Sequence, residues 1–266
     1  MKNNCLKFLV ELSDKRNAFL MNILNEKFAA AEFSFVNMGD FADKNDTAVI
    51  FSPARKLGAA EAAALPQVSA GIGGKQPEEI IAALKERGIT YINLIQDEDY
   101  AVKNALLTAE GALYLMLGGT DKSIFENSVL ILGCGRVGKA TALLLQKLGV
   151  NTAVATFDKA EYDTYAFYAD KAFFGREFIG RLSDYDVIIN TIPARILDEG
   201  DTSMIRQGAL VIELASENCM DKKSAEKCPF SYIQAGGLPA KYSAESAARI
   251  MYECICKLLK GNGDDG

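Results

Sequence analysis

The chain has 266 residues, 49% of them hydrophobic and 24% charged, with 22 glycines, 6 prolines and neither histidine nor tryptophan. This is a globular composition long enough for two domains, and it excludes disordered, collagen-like and coiled-coil chains. A net charge of -6 without any Lys/Arg cluster argues against a nucleic-acid partner, and no apolar run reaches the ~18–20 residues of a membrane span.

The opening segment, MKNNCLKFLVELSDKRN, turns charged after an apolar core too short for a signal peptide. Residues 6–12 (LKFLVEL), 32–37 (EFSFVN), 47–51 (TAVIF), 67–72 and 90–95 (TYINLI) are short apolar, β-forming runs and predict strands. Helical patterns separate several of them. Phe19, Ile23, Leu24 and Phe28 recur at helical spacing, and PEEIIAALKERG has acids early, bases late and Gly88 as a stop. Strands alternating with helices predict a mostly parallel sheet covered on both faces, a flavodoxin-like α/β domain over 1–104.

Residues 105–120 follow as a connecting helix, with Leu106, Ala109, Leu113 and Leu117 on one stripe and Gly118-Gly119 at its end. VLILG (129–133) opens a second alternating pattern. Val137, Ala140, Leu144 and Leu148 form a helical stripe closed by Gly149. TAVATF, DVIIN and ALVIEL predict further strands, and FGREFIGRLSD predicts a helix. Together these give a dinucleotide-binding Rossmann domain over 121–242, so the expected fold class is α/β with two doubly wound domains. A helix over 243–260, with Ala247, Ile250, Met251, Cys254 and Leu258 on one face, is expected to pack back on the first domain. The acidic tail 261–266 (GNGDDG) is expected to fray.

Gly133-Cys134-Gly135-Arg136-Val137-Gly138 is a G-x-G-x-x-G directly after an apolar strand and before an apolar-striped helix. In such a loop Gly133 permits the tight turn, Gly135 lets a pyrophosphate approach the backbone, and Gly138 lets helix and strand pack closely. Amides at the helix N-terminus, those of Arg136, Val137 and Gly138, then face the anion. Arg136 adds a hint: a cation in a first turn opposes the helix dipole by ~0.3–1 kcal/mol, and a bound anion reverses that sign. The alternative is a solvated arginine. The residue choosing between NAD and NADP belongs about 20 residues on, near Thr156, Phe157 and Asp158. Neither Thr156 nor Phe157 offers a charge. Asp158 serves NAD if the loop folds back, or simply caps the next helix.

Without histidine, a Ser-His-Asp triad, a His-assisted dehydrogenase and a His-ligated metal are excluded, and no metal site is expected. Acid–base work falls to Asp, Glu, Lys, Tyr, Cys or water. The six cysteines form no C-x-x-C and read as reduced thiols of a cytoplasmic protein.

The segments TAEG (108–111), GCGRVG (133–138), INTIPARIL (189–197), IELAS (212–216) and AGGLPA (235–240) together resemble the dipicolinate synthase A-subunit family in order and spacing. Asp14 and Arg16 match a family G-G-D-x-R turn whose glycines are Leu12 and Ser13 here. The resemblance implies two α/β domains arranged like those of D-2-hydroxyacid dehydrogenases. It also implies oxidation of dihydrodipicolinate to dipicolinate during sporulation, in the mother cell, with NADP or NAD accepting hydride. Its implied partners are a small dicarboxylate and a flavoprotein-like B-subunit, with a homo-oligomer also in view. Two departures stand out. Glu217-Asn218-Cys219-Met220 replaces the family's Arg-Pro-Gly-Gly, and Phe157 replaces its arginine on the second-strand loop.

The strand end Asn190-Thr191-Ile192-Pro193 is expected beside the nicotinamide ribose, and Gly237 beside the ring. The catalytic candidates are Thr108, Glu110, Asp14, Arg16 and Ser216, with Glu213 a further proton acceptor. Capping by Thr108 and dipole complementation by Glu110 are the blander readings. Arg16, Arg195 and Lys241 are the cations expected at the cleft for a dicarboxylate. Two other functions remain open: a non-catalytic nucleotide-binding regulatory or scaffolding role beside a partner enzyme, and a shikimate-dehydrogenase-like reductase suggested by Asn-Thr-x-Pro.

Overall fold

The computed structural model describes residues 7–12, 14–27, 34–35, 47–65, 67–166 and 171–261. Two compact units divide the chain: Met1–Asn104 with Pro239–Gly266, and Ala105–Leu238.

In the first unit the order is β1 (Lys7–Val10), α1 (Lys15–Lys27), β2 (Ser34–Phe35), β3 (Thr47–Ile50), α2 (Ala59–Ala64), β4 (Ala70–Gly73), α3 (Glu78–Glu86) and β5 (Thr90–Asn93). The strands pair in parallel in the order β2-β1-β3-β4-β5, a doubly wound sheet with its switch between β1 and β3. Helix α1 buries Arg16, Asn17, Leu20 and Leu24, one residue out of step with the stripe expected from Phe19. Phe19 is exposed, and Phe28 lies outside the described residues, as do Cys5 and much of the expected strand at 32–37.

A long helix, α4 (Glu98–Gly119), leads into the second unit. It starts well before residue 105, so Thr108 lies in mid-helix and is not an N-cap. Its buried face is Ala101, Ala105, Ala109, Ala112 and Met116, whereas the expected leucines Leu106 and Leu117 are exposed. Small side chains form the seam because the neighbours approach closely. Ala105 and Ala109 pack on Val137, Ala140 and Leu144, and a Cβ on Gly111 would sit 2.7 Å from that of Leu238. Two of the sequence segments that carry the family resemblance therefore touch.

The second unit continues with β6 (Ser128–Leu132), α5 (Arg136–Lys147), β7 (Asn151–Thr156), α6 (Lys159–Tyr165), β8 (Lys171–Phe174), β9 (Val187–Asn190), α7 (Glu199–Ser203), β10 (Leu210–Glu213), α8 (Lys222–Lys227) and β11 (Ser231–Gln234). All pair in parallel in the order β11-β10-β9-β6-β7-β8. Strand β6 alternates between two cores: Val129 and Ile131 join Ala112, Met116 and Leu145, while Leu130 and Leu132 join Phe178, Leu182 and Ile205. Each such side chain contributes about 1.5–3 kcal/mol by leaving water. The segment FGREFIGRLSD is not the expected α-helix. Phe174 ends β8, and only Ile179–Asp184 coils, as 3-10 turns.

Helices α9 (Leu238–Tyr242) and α10 (Ala244–Gly261) close the chain. Ala248, Met251, Cys254 and Ile255 of α10 share the first unit's core with Phe8, Val10, Leu20 and Leu24. Lys257 Nζ to Asp97 Oδ2 (2.5 Å) and Lys103 Nζ to Glu253 Oε2 (2.9 Å) fix α10 at its edges. The tail expected to fray lies, from residue 262, outside the described residues. Among the described residues Cys134, Cys219, Cys228, Cys254 and Cys256 form no disulfide, and no described helix is long and apolar enough to cross a membrane.

Candidate nucleotide-binding site

In the second unit, β7 and β8 lie to one side of β6 and β9, β10 and β11 to the other. Loops leaving the carboxyl ends of β6 and β9 therefore diverge, and such a divergence is where doubly wound sheets bind ligands. Leu132 is in register with Asn190, so the turn at 133–135 and the loop at 191–197 leave side by side.

Three glycines in the first loop have different reasons for being there. Gly133 has φ +104, and a Cβ on it would collide with Thr191 Oγ1 and stand 2.9 Å from Ile192 Cγ1. A Cβ on Gly138 would strike the Gly133 carbonyl and lie 3.1 Å from Thr191 Oγ1. The protein itself demands both. Gly135 is different: its φ of -65 suits any residue, it is exposed, and among the described residues a Cβ there would meet nothing within 4 Å. The space that only a glycine leaves bare there is open to something that is not protein. Gly135 caps α5 and has no side chain to bond the first-turn amides, which have no i−4 acceptor within the helix. A dinucleotide's pyrophosphate fits this cradle of backbone donors.

Behind the loop, Cys134 points inward. Burial first, and the Glu161 charge next, push its thiol up to about 12 against the pull of Lys139 and Thr156. Thr191 donates from its backbone N–H (2.8 Å) and hydroxyl (2.9 Å) to the Leu132 carbonyl, tying the second loop to β6. Asn190 is fully buried: Nδ2 donates to Glu213 Oε1 (2.6 Å) and the Ile192 carbonyl (3.0 Å), and Oδ1 accepts from Ile192 N–H (3.1 Å). Asn190 thus shapes the loop from within, leaving Ile192 half-buried and Pro193 exposed at its rim.

Glu213, at the end of β10, is 1% exposed and makes more bonds than its place among sequence candidates suggested. Besides Asn190 it accepts from Ala215 N–H (3.1 Å), Cys219 N–H (2.8 Å) and Tyr232 Oη (3.3 Å). The Cys219 carbonyl in turn accepts from Ile196 and Leu197, each at 2.9 Å. One carboxyl therefore clamps the loops beyond both β9 and β10. Burial, then the Glu213 charge, raise both the Cys219 thiol and the Tyr232 phenol well above their ordinary values. Ser216 beyond β10 and Gly237 (φ +67) beyond β11 are exposed. Thr108 is half-buried and Glu110 exposed on α4.

The carboxyl end of β7 carries Thr156, buried, then Phe157, 47% exposed. Asp158 caps α6, accepting from Glu161 N–H at 2.9 Å.

In the first unit, the switch between β1 and β3 gathers Glu11, Asp14, Arg16, Ser52, Arg55 and Glu61. Arg16, 3% exposed, donates from Nη2 to Asp14 Oδ2 (2.7 Å) and Ser52 Oγ (3.3 Å). Ser52 Oγ also donates to Asp14, and Arg55 binds Glu11 and, at 2.6 Å, Glu61. Burial pushes the Asp14 carboxyl up, but the bonds from Arg16 and Ser52 and the Arg16 charge outweigh it and hold it below the ordinary range. Three acids against two guanidinium groups leave this cluster without surplus positive charge. Arg16 is engaged internally, not presented as the cation expected for a dicarboxylate. Arg195 is exposed, 3.7 Å from Asp221, and Lys241 is exposed on α9.

No protein-family model matches the chain. The dipicolinate synthase A-subunit of Bacillus subtilis (strain 168) is 31% identical over 193 residues, 72% of this chain and 64% of that protein. The match thus spans a little under two thirds of the relative's length. In fold, the chain is similar to the crystal structure of the dipicolinate synthase A-subunit from Bacillus halodurans, with TM-score 0.83 and 23% identity over 97% of this chain and 99% of that one. It is also similar to a transhydrogenase from Sinorhizobium meliloti, with TM-score 0.71 and 16% identity over 95% and 84% of the two chains.

Proposed function

The chain is a relative of the dipicolinate synthase A-subunit, and from that premise we propose that it is an oxidoreductase component. In this reading a nicotinamide dinucleotide lies with its pyrophosphate over Gly133–Gly138 and a small pyridine-type dicarboxylate beside it. Bound there, the nicotinamide supplies a hydride acceptor for a dihydropyridine that gains aromaticity on oxidation. The protein's task is positioning, with one proton passing to a base. Val137 and Gly138 direct first-turn amides at the phosphates, Thr191 and Asn190 hold the second loop in place, and Ile192 and Pro193 form its rim. Absence of histidine is compatible with this chemistry. A cytoplasmic site and pairing with a flavoprotein-like B-subunit belong to the same proposal.

Gly135 carries the reading: it is bare where the protein has no need of it. Gly135→Val is expected to lower the melting temperature without nucleotide by no more than a few degrees, the cost of a poorer N-cap, and to weaken NADH and NADPH binding at least tenfold, read by nicotinamide fluorescence. Unchanged binding by that variant, or no binding of either dinucleotide by the parent at millimolar levels, overturns the reading.

The regulatory alternative draws on a specific observation. Arg16 and Arg55 of the first unit are neutralised by neighbouring acids, and Glu217-Asn218-Cys219-Met220 carries no cation. Turnover only after mixing with a flavoprotein-like partner, with nucleotide binding intact in the chain alone, favours that alternative.

A further inference from the structure

The choice between the two nicotinamide dinucleotides is made where the adenosine ribose lies, at the carboxyl end of the second strand of the nucleotide-binding sheet. An acid that closes this strand accepts from the ribose 2′-hydroxyl and repels a 2′-phosphate. Here the strand is β7, and it closes with Thr156, which brings no charge. Asp158, two residues on, is turned into the N-cap of α6.

A carboxyl group nevertheless stands over this strand end. It arrives from α6: Glu161 Oε2 accepts from Thr156 Oγ1 at 2.9 Å. The same hydroxyl oxygen accepts from Asp158 N–H at 3.1 Å, and Asp158 Oδ1 accepts from Glu161 N–H at 2.9 Å. Three residues thus close a ring of bonds that fixes the Glu161 side chain, which is 25% exposed, over the tip of β7. Its other oxygen, Oε1, is 3.6 Å from Lys139 Nζ in the first turn of α5. Gly133 N–H bonds the Ala155 carbonyl at 2.7 Å, so the start of the glycine loop and the tip of β7 are neighbours. Glu161 therefore bridges the two elements between which the adenosine half of a dinucleotide would lie.

We infer that Glu161 makes this chain select NAD over NADP, with its carboxylate accepting from the ribose 2′-hydroxyl and opposing a 2′-phosphate. Lys139 would otherwise serve a 2′-phosphate; Glu161 neutralises it. Phe157 beside them presents an apolar, exposed ring. The inference rests on the nucleotide-binding reading above and adds a direction to it.

Titration of the purified full chain with NADH and with NADPH, followed by nicotinamide fluorescence, tests it without any catalytic turnover. NADH is expected to bind at least tenfold more tightly than NADPH. Glu161→Gln is expected to bring the two within threefold, through a gain for NADPH. Lys139→Ala, which leaves the carboxylate uncompensated, is expected to widen the gap. Equal binding of both dinucleotides by the parent chain overturns the inference while leaving the nucleotide site standing, as does an unchanged ratio in Glu161→Gln with an unaltered melting temperature. Binding of neither dinucleotide overturns the site itself and the inference with it.

Discussion

Replacing Glu213 by alanine tests how much of the second unit depends on a single buried carboxyl. Four donors converge on it, from Asn190, Ala215, Cys219 and Tyr232. Asn190 Nδ2 loses one of its two bonds but keeps the other, to the Ile192 carbonyl, whereas the remaining three donors lose the Glu213 acceptor outright. The Cys219 amide is buried and costs about 1–3 kcal/mol when orphaned; the Ala215 amide and Tyr232 hydroxyl are half-buried and add roughly 1 kcal/mol each. The expected loss is about 3–5 kcal/mol, or a fall in melting temperature of roughly 10–18 °C for a unit of this size. Glu213→Gln keeps one acceptor oxygen but sets an NH2 group against a donor, and is expected to lose about half as much. Urea unfolding followed by circular dichroism, at constant m-value, gives both numbers. A loss below about 1 kcal/mol in Glu213→Ala would refute the clamp, because the loops would then be held by something other than these bonds.

Gly133→Ala is expected to destabilise the second unit by about 2–4 kcal/mol, since it adds both an unfavourable positive φ and a collision with Thr191; a melting temperature equal to the parent's would contradict this. Asp14 is held below its ordinary range in the folded chain, so its contribution is present above about pH 4 and is lost as pH falls through the folded value. The stability gap between the parent and Asp14→Asn should be level from about pH 7 to 5 and shrink below about pH 4; a gap independent of pH down to about 3 would count against the Arg16–Asp14–Ser52 arrangement. Cys134, with its thiol pushed up to about 12, is expected to resist alkylation at about pH 8 in the native chain and to react in urea, read by peptide mass mapping. Rapid native labelling there would place its side chain outside the core.

Much of the architecture was legible because backbone demands are written in residue identity. The strand–turn–helix at 128–147 could be read from its glycines, two of which the packing around Thr191 turns out to require. Central strands such as VIIN and LVIE were legible because helices cover both sheet faces and make them continuously apolar. The strands at Lys171–Phe174 and Ser231–Gln234 were not, because edge strands are half-exposed and lack that run. The stripes on α1 and α4 were misjudged for another reason. Large apolar residues dominate a periodicity count, whereas a close seam favours small ones such as Ala105, Ala109 and Ala112. At the site, Glu161 escapes a reading confined to the strand end, because its carboxyl arrives one helical turn later. An acid closing the otherwise apolar run VIEL was the available signal for the role of Glu213, since a charge so placed needs several donors.

The first unit's core is completed by Ala248, Met251, Cys254 and Ile255, which stand more than two hundred residues along the chain from Phe8, Leu20 and Leu24. Ribosomal synthesis therefore delivers the two halves of one core far apart in time, with the whole of Ala105–Leu238 emerging in between. That intervening stretch carries all its own strands and is ready to fold while the earlier sheet still waits for its last helix. Until α10 has emerged, Leu20 and Leu24 of α1 have only the sheet residues such as Phe8, Val10 and Ile50 for cover, so the nascent first unit is expected to expose apolar surface that chaperones recognise.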